Sequence, residues 1–169
     1  DLAARAAAAL AGIPAGRVAV QLREKDLGGR ALLALARALA AACRASGQLL
    51  LVNDRIDVAL AAGADGVHLP AAGIPPADAR RLLGPAALVG VSCHSGEDVR
   101  RAREGGASYA TFGPVHETPS KRPCGPPVGI GPDAGFPFMA REQSGGDRPQ
   151  EARQVRHLRE RDRLGGAGG

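Results

Sequence analysis

The sequence of 169 residues has few cysteines, few aromatic residues and no long apolar run. The cysteines, Cys43, Cys93 and Cys124, are odd in number and far apart, which excludes a disulfide framework or a zinc ribbon and favours a reducing, cytoplasmic location. No segment approaches the roughly 20 apolar residues that a membrane helix needs, and the N-terminus has no signal-peptide pattern. We therefore expect a globular protein with no membrane partner.

The charge of the chain gives little support for binding to nucleic acid. The formal net charge is +5, but the basic residues are scattered, and only one Tyr and three Phe are present to stack on bases. We expect no nucleic-acid partner. Among the basic residues only Lys25 and Lys121 are lysines, which marks both as positions for a compact ammonium that a planar guanidinium does not replace.

Short apolar segments alternate with helical patterns along the first 112 residues. The predicted strands are 18–22, 49–52, 66–69, 88–92 and 108–112, and the predicted helices are 2–11, 30–45, 54–62, 76–83 and 96–104. Strands that are apolar throughout are typical of a parallel sheet covered on both faces. The α/β class leaves a doubly wound sheet or a (β/α)8 TIM barrel. Polar residues follow four of the five predicted strand ends, which favours the barrel.

The β/α pattern stops after Ile130. Residues 131–169 are poor in apolar residues, rich in Arg and Gly, and contain no visible strand. Such a composition predicts a disordered tail or a segment read in a wrong frame. The sequence therefore predicts two parts, an incomplete barrel over 1–130 and a tail over 131–169, with the first strand and the last two β/α units missing or altered.

Two segments after strand ends carry groups suited to phosphate chemistry. In an extended 21–25 segment, Gln21, Arg23 and Lys25 point the same way and form a diphosphate clamp, whereas the alternative is a solvated strand end. Asp54 can hold Mg²⁺ together with substrate phosphates. The alternative for Asn53 and Asp54, which is the better supported when that segment is taken alone, is an N-cap of the following helix.

A third segment, 118–121, reads TPSK and lies in a loop rich in Pro and Gly. Two hydroxyls, a cation and free backbone N–H groups can wrap a phosphate, whereas the alternative is an ordinary turn. Cys93 and His94 do not form a nucleophile pair, because adjacent strand residues face opposite sides. His68, His94 and His116 lie near strand ends, but their spacing matches no metal motif.

In order along the chain, these segments resemble the thiamine-phosphate synthase family, whose superfamily includes the thiazole tautomerases. The resemblance covers about residues 2–130. The matching segments are QLREK at 21–25, NDR at 53–55 with Asp57, GADGVHL at 63–69, GVSCHS at 90–95, FGPV at 112–115, TPSK at 118–121 and PVG at 127–129.

The resemblance implies a (β/α)8 barrel and a Mg²⁺-dependent transferase of thiamine biosynthesis. Such an enzyme joins hydroxymethylpyrimidine diphosphate to thiazole phosphate and releases thiamine phosphate and diphosphate. It further implies that Asp54 binds Mg²⁺, that Thr118 and Ser120 hold the thiazole phosphate, and that Lys121, Ser92 and Lys25 are catalytic. The implied contacts to the pyrimidine diphosphate come from Gln21, Arg23, Lys25, Asn53, Ser92 and Lys121.

Two departures from the family pattern keep alternatives open. After the predicted strand at 66–69 the family usually has a second Mg²⁺ carboxylate, and Gly73 stands at that position here. In tautomerases a catalytic His stands where this chain has Pro114, and His116 lies two positions further on. Retention of the synthase residues favours a synthase. The alternatives are a thiazole tautomerase-like protein or a non-catalytic fragment.

Overall fold

The computed structural model describes residues 1–114 and the backbone of Gln154–Leu158. Helices and strands alternate as the sequence predicts, which confirms the α/β class. No helix in this part of the chain is long and apolar enough to cross a membrane. The elements are α1 Leu2–Leu10, β1 Val18–Leu22, α2 Gly29–Ala45, β2 Leu49–Asn53, α3 Ile56–Ala62, β3 Gly66–Leu69, α4 Pro76–Leu83, β4 Leu88–Cys93, α5 Gly96–Glu104, β5 Tyr109–Phe112 and β6 Gln154–Leu158.

The chain divides into two compact units, Asp1–Val67 with Pro149–Gly169, and His68–Arg148, so that β3 contributes to both. In the first unit the strand order is β3-β2-β1-β6, and β1 pairs in parallel with β2 and β6. In the second unit the order is β5-β4-β3, and β4 pairs in parallel with β5, with Gly90 opposite Tyr109. These parallel pairs place the carboxyl ends of neighbouring strands at one edge.

The core of the first unit is built from β1, β2 and the apolar stripe of α2. Every residue of β1 is buried, as expected for a strand covered on both faces. In α2 the buried side chains recur at helical spacing and face the unit's interior. They are Leu32, Ala36, Leu39, Ala40 and Cys43.

Two predictions about the elements are wrong. The third helix begins at Ile56 and not at residue 54, because Asp54 has a φ of +64°, which a right-handed helix does not allow. A strand, β6, exists after Ile130, where the sequence analysis expects none. Its sequence, QVRHL, mixes polar and apolar residues, which is typical of an edge strand and differs from the fully apolar strands used to recognise the others.

In the second unit, Arg80 of α4 ties together the loops that precede β4 and β5. Its guanidinium donates hydrogen bonds to the carbonyl oxygens of Pro85, Ala87 and Gly106 and to Oγ of Ser108, at 2.7–3.0 Å. A planar fork of donors can reach four acceptors at once, which the point charge of lysine cannot. Arg80 thereby fixes the starts of the two strands that carry Ser92 and Tyr109.

In the first unit, the buried amide of Gln48 joins the α2–β2 turn to the segment before β1. Its Nε2 donates to the carbonyl oxygens of Ile13 and Pro14, at 3.1 and 2.9 Å, and its Oε1 accepts from the N–H of Val18, at 2.9 Å. The side chain is 3% exposed. Three backbone groups therefore depend on this one side chain.

We expect Gln48→Leu to lower the free energy of unfolding by about 2–4 kcal/mol, because it leaves buried backbone groups without partners. Denaturant unfolding followed by circular dichroism measures the change. Ala45→Leu, an exposed substitution near the end of α2, is the control and should stay within about 0.5 kcal/mol of the parent. A Gln48→Leu protein as stable as this control would contradict the assigned role.

Candidate functional site at the strand ends

At the carboxyl ends of β1 and β2, the side chains of Gln21 and Asn53 are hydrogen-bonded. Nε2 of Gln21 donates to Oδ1 of Asn53 at 3.1 Å. Gln21 is 1% exposed, and its Oε1 has no hydrogen-bond partner among the described residues. A buried acceptor without a donor costs free energy, and a ligand that brings an N–H group to Gln21 would recover it.

Two cations follow directly after β1. The strand ends at Leu22 and the chain bends at Lys25, and the shared direction of the Gln21, Arg23 and Lys25 side chains stays a prediction. The next helix, α2, begins at Gly29 with Gly28 as its N-cap. Arg23 is half-buried and Lys25 is exposed, and both lie just past the end of β1.

Asp54 lies at the centre of a tight turn after β2. The N–H of Arg55 donates to the carbonyl oxygen of Asn53 at 2.8 Å, and Asp54 between them has a left-handed backbone. The N-cap of α3 is Arg55, and no side chain caps this helix, so the alternative of an N-cap at Asn53 or Asp54 is wrong. Strained backbone of this kind is concentrated at functional sites, and it presents the Asp54 carboxylate to solvent.

The neighbouring acid, Asp57, is engaged differently. Its carboxylate accepts hydrogen bonds from the Arg55 guanidinium at 2.7 and 2.9 Å, and these bonds lower the pKa of Asp57. The side chain of Asp54, in contrast, makes no hydrogen bond to the residues that the structure describes. Of the two carboxylates, Asp54 is therefore the one placed to bind a cation.

The donor set suits a magnesium ion that is held mainly by water and phosphate. Residues 1–114 contain no group of three or more His, Cys, Asp or Glu side chains that could hold a metal ion. A single carboxylate such as Asp54 nevertheless fits Mg²⁺, which keeps several waters and commonly takes its remaining ligands from substrate phosphates.

Gly73 closes a tight turn in the second unit. Its N–H donates to the carbonyl oxygen of Pro70 at 2.9 Å, and a Cβ added at Gly73 would lie 2.9 Å from the Pro70 ring. Pro70 is rigid and cannot swing away as a flexible side chain would. The present turn therefore has no room for the carboxylate that the family usually has at this position.

We expect Gly73→Asp to lower the free energy of unfolding by about 1–3 kcal/mol, because the new Cβ overpacks the turn. The matched control is Gly28→Asp, since a Cβ there meets nothing within 4 Å and Asp is a favoured N-cap residue. Thermal unfolding of both variants checks this. Equal melting temperatures for the two variants would contradict it.

In the second unit, three strands bring Ser92, His68 and Tyr109 into one hydrogen-bonded chain. Nε2 of His68 lies 2.9 Å from Oγ of Ser92, and Nδ1 lies 3.0 Å from the hydroxyl of Tyr109. His68 is 4% exposed. The sequence pattern predicts a site role for Ser92, places His68 near a strand end without a metal motif, and gives no role to Tyr109. Gly90, inside a strand, is the signal that could have pointed to a close approach there.

The second unit gives no support for a thiol nucleophile. Burial raises the pKa of the Cys93 thiol to about 11, so that it stays protonated at neutral pH. The ring of His94 hydrogen-bonds through Nδ1 to the carbonyl oxygen of Gly113. The remaining predicted groups, Thr118, Ser120, Lys121 and His116, lie outside the described residues.

Fold and site together define an α/β protein whose polar and charged side chains follow the carboxyl ends of parallel strands, where such folds bind their ligands. The family model for thiamine monophosphate synthase matches residues 1–132. The chain therefore belongs to the thiamine monophosphate synthase family.

Individual relatives agree with this assignment. A protein of Geobacter sulfurreducens whose name includes thiamine-phosphate synthase is 55% identical over 130 residues, which cover 77% of this chain and 60% of the relative. The thiamine-phosphate synthase of Roseiflexus castenholzii is 47% identical over 122 residues, 72% of this chain and 54% of the relative. The chain thus spans between half and two thirds of the length of these relatives.

A solved structure is also similar. The thiamine phosphate pyrophosphorylase from Pyrococcus furiosus aligns with a TM-score of 0.60 and 33% identity, over 68% of this chain and 55% of that chain. The parallel α/β fold is therefore shared with this thiamine phosphate pyrophosphorylase.

Proposed function

We propose that this chain is a cytoplasmic, Mg²⁺-dependent thiamine-phosphate synthase and that its sheet belongs to a (β/α)8 barrel. The reaction joins hydroxymethylpyrimidine diphosphate to thiazole phosphate and releases diphosphate. The observation that carries the proposal is the buried Gln21–Asn53 pair placed just before two cations, with no donor to Oε1 of Gln21 among the described residues. An aminopyrimidine linked to a diphosphate offers matching groups: its amino N–H would donate to Gln21, and its diphosphate would meet the two cations, Arg23 and Lys25.

The pyrimidine diphosphate is assigned to the residues after β1 and β2. The amino group of the pyrimidine would donate to Oε1 of Gln21, and Asn53 would keep the Gln21 amide in place through the 3.1 Å hydrogen bond. Arg23 offers a bidentate fork to the diphosphate, and Lys25 a point charge. The exposed position of Lys25 lets its side chain reach a phosphate group without first breaking a buried contact.

The chemistry requires stabilisation of a departing anion. As the bond between the pyrimidine methylene and the diphosphate oxygen breaks, negative charge grows on the diphosphate. Arg23 and Lys25, which follow β1, would stabilise that charge. Lys121 and a hydrogen bond from Ser92 are added to these contacts by the resemblance to the family alone. Mg²⁺, held by Asp54 and the phosphates, would supply further positive charge when bound. No general base is needed for this step, because the thiazole nitrogen attacks with its own lone pair.

The second substrate, thiazole phosphate, is assigned to the 118–121 segment. Thr118 and Ser120 would hold its phosphate through their hydroxyls. This assignment depends on the resemblance of the segment to the family, because these residues lie outside the described part of the chain.

The test is to incubate the protein with both precursors and Mg²⁺ and to measure thiamine phosphate and diphosphate. Equal amounts of the two products are expected. Gln21→Met is the informative variant: it should raise the KM for the pyrimidine diphosphate, because it removes the buried acceptor proposed to bind the amino group. It also removes the hydrogen bond to Asn53, so a thermal melt of the same sample checks that the variant is folded. A folded parent that forms no product would contradict the function, and an unchanged KM would contradict the role of Gln21.

The tight turn at Gly73 favours one second candidate, a thiazole tautomerase-like activity of the same superfamily, because it excludes the usual second carboxylate. Such a protein would isomerise the thiazole phosphate without any pyrimidine substrate. Measuring that isomerisation in the absence of the pyrimidine diphosphate separates the two activities.

A further inference from the structure

The directions of the hydrogen bonds around His68 depend on which ring nitrogen carries the proton. Among the described residues, the only hydrogen-bond partner of the Tyr109 hydroxyl is Nδ1 of His68. A phenol carries its proton at neutral pH, and burial raises its pKa further; among the described residues, Nδ1 of His68 is the one acceptor within hydrogen-bond distance of that proton, so we infer that Tyr109 donates to it. When Nδ1 of a neutral imidazole accepts, the ring proton is on Nε2.

The direction at His68 determines the direction at Ser92. With its proton on Nε2, His68 donates to Oγ of Ser92 across 2.9 Å. Because the serine oxygen accepts this hydrogen bond, its own proton is turned away from His68 and is free to be donated to a ligand. The reverse tautomer would make Ser92 donate to His68, and Ser92 could then not donate to an anion.

We propose that His68 and Tyr109 are positioning residues, which orient the hydroxyl of Ser92 so that it donates its proton to a phosphate oxygen of the substrate. The identity of the ligand rests on the proposed function. The directions of the two hydrogen bonds within the group, from Tyr109 to His68 and from His68 to Ser92, are inferred from the second unit alone.

The packing around Tyr109 supports this role, because the neighbouring strand leaves space for the phenol beside the imidazole of His68. Tyr109 lies opposite Gly90 in the β4–β5 pair, and a Cβ at Gly90 would overlap the phenol ring. The rings of His68 and Tyr109 lie 5.6 Å apart between centroids, tilted by 34°. Glycine at position 90 thus makes the space in which the phenol reaches the imidazole. Outer groups of this kind commonly fix the tautomer of a functional histidine.

The first experiment needs no substrate. ¹⁵N NMR of the labelled full chain distinguishes the Nε2–H from the Nδ1–H tautomer, and the signals lost in His68→Asn assign those of His68. We expect the Nε2–H tautomer in the parent and a loss of this preference in Tyr109→Phe. An Nδ1–H tautomer or a charged imidazolium at neutral pH would overturn the proposal, whether or not the protein is a synthase.

The second experiment separates positioning from folding. His68→Gln can still donate to Ser92 from the place of Nε2, whereas His68→Asn is too short to do so. We expect His68→Asn to lower kcat about tenfold with little change in KM, and His68→Gln to restore most of the loss. His94→Asn changes a histidine of the same unit outside this chain of bonds and should leave kcat unchanged.

The decisive comparison is made in the Ser92→Ala background, where His68→Asn should cause no further loss, because both act through one hydroxyl. Additive losses would overturn the proposal. If the parent makes no thiamine phosphate, the proposed function fails, and the NMR result still decides the hydrogen-bond directions.

Discussion

Replacing Asp54 by Asn should reduce the rate of thiamine phosphate formation by about 100-fold or more at limiting Mg²⁺ while leaving the fold intact. The carboxylate is exposed and makes no hydrogen bond to the described residues, so its loss removes little from the folded state. Asn tolerates the left-handed backbone at φ +64°, so the turn is kept. The rate measured against Mg²⁺ concentration, with a thermal melt of the same sample, checks both halves of the expectation.

The matched control for Asp54→Asn is Asp57→Asn, three residues further along. It removes the same charge, but from a carboxylate that pairs with Arg55 on the surface, an interaction worth about 0–1 kcal/mol. We expect Asp57→Asn to keep its response to Mg²⁺. An Asp54→Asn protein that responds to Mg²⁺ as the Asp57→Asn protein does would remove Asp54 from the metal site.

Local sequence pattern predicts much of this fold because most elements depend on their own residues. The strand Gly66–Leu69 and the helices Pro76–Leu83 and Gly96–Glu104 are confirmed with the predicted bounds. The prediction fails at Asp54, where a polar residue that is a good N-cap adopts a left-handed turn instead. Propensity alone does not separate these two outcomes, since Asp is favoured in both.

The candidate site is predicted where its residues follow one strand and is missed where distant strands meet. Gln21 and Asn53 are recognised as polar ends of apolar strands, and their hydrogen bond follows from the parallel pairing of β1 and β2. His68 and Tyr109 are 41 residues apart, and only the order of the strands brings them together. Spacing along the chain contains no such information.

Gly90 is a second position where the sequence indicates a contact but not the partner. This glycine is explained by the lack of space for a side chain and not by its backbone freedom. A glycine within a strand weakens it, so its presence there indicates close approach of another group. In this protein the group is the ring of Tyr109, which covers the glycine from the neighbouring strand. The pair could be suspected from the glycine, but its partner could be identified only from the register.

We accordingly expect Gly90→Ala to lower the free energy of unfolding by about 3 kcal/mol, because the added Cβ would overlap the ring of Tyr109 in a strand pair that cannot separate without losing backbone hydrogen bonds. Tyr109→Ala in the same chain should recover part of that loss, since the ring is then absent.

Gly96→Ala is the matched control: a Cβ there meets nothing within 4 Å, and Ala favours the helix that begins at this residue. Urea unfolding of the parent, the two single variants Gly90→Ala and Tyr109→Ala, and the double variant gives the coupling between positions 90 and 109, and Gly96→Ala is measured beside them. If Gly90→Ala were as stable as Gly96→Ala, the close packing of Gly90 against Tyr109 would be refuted, and with it the structural support for the orientation of His68.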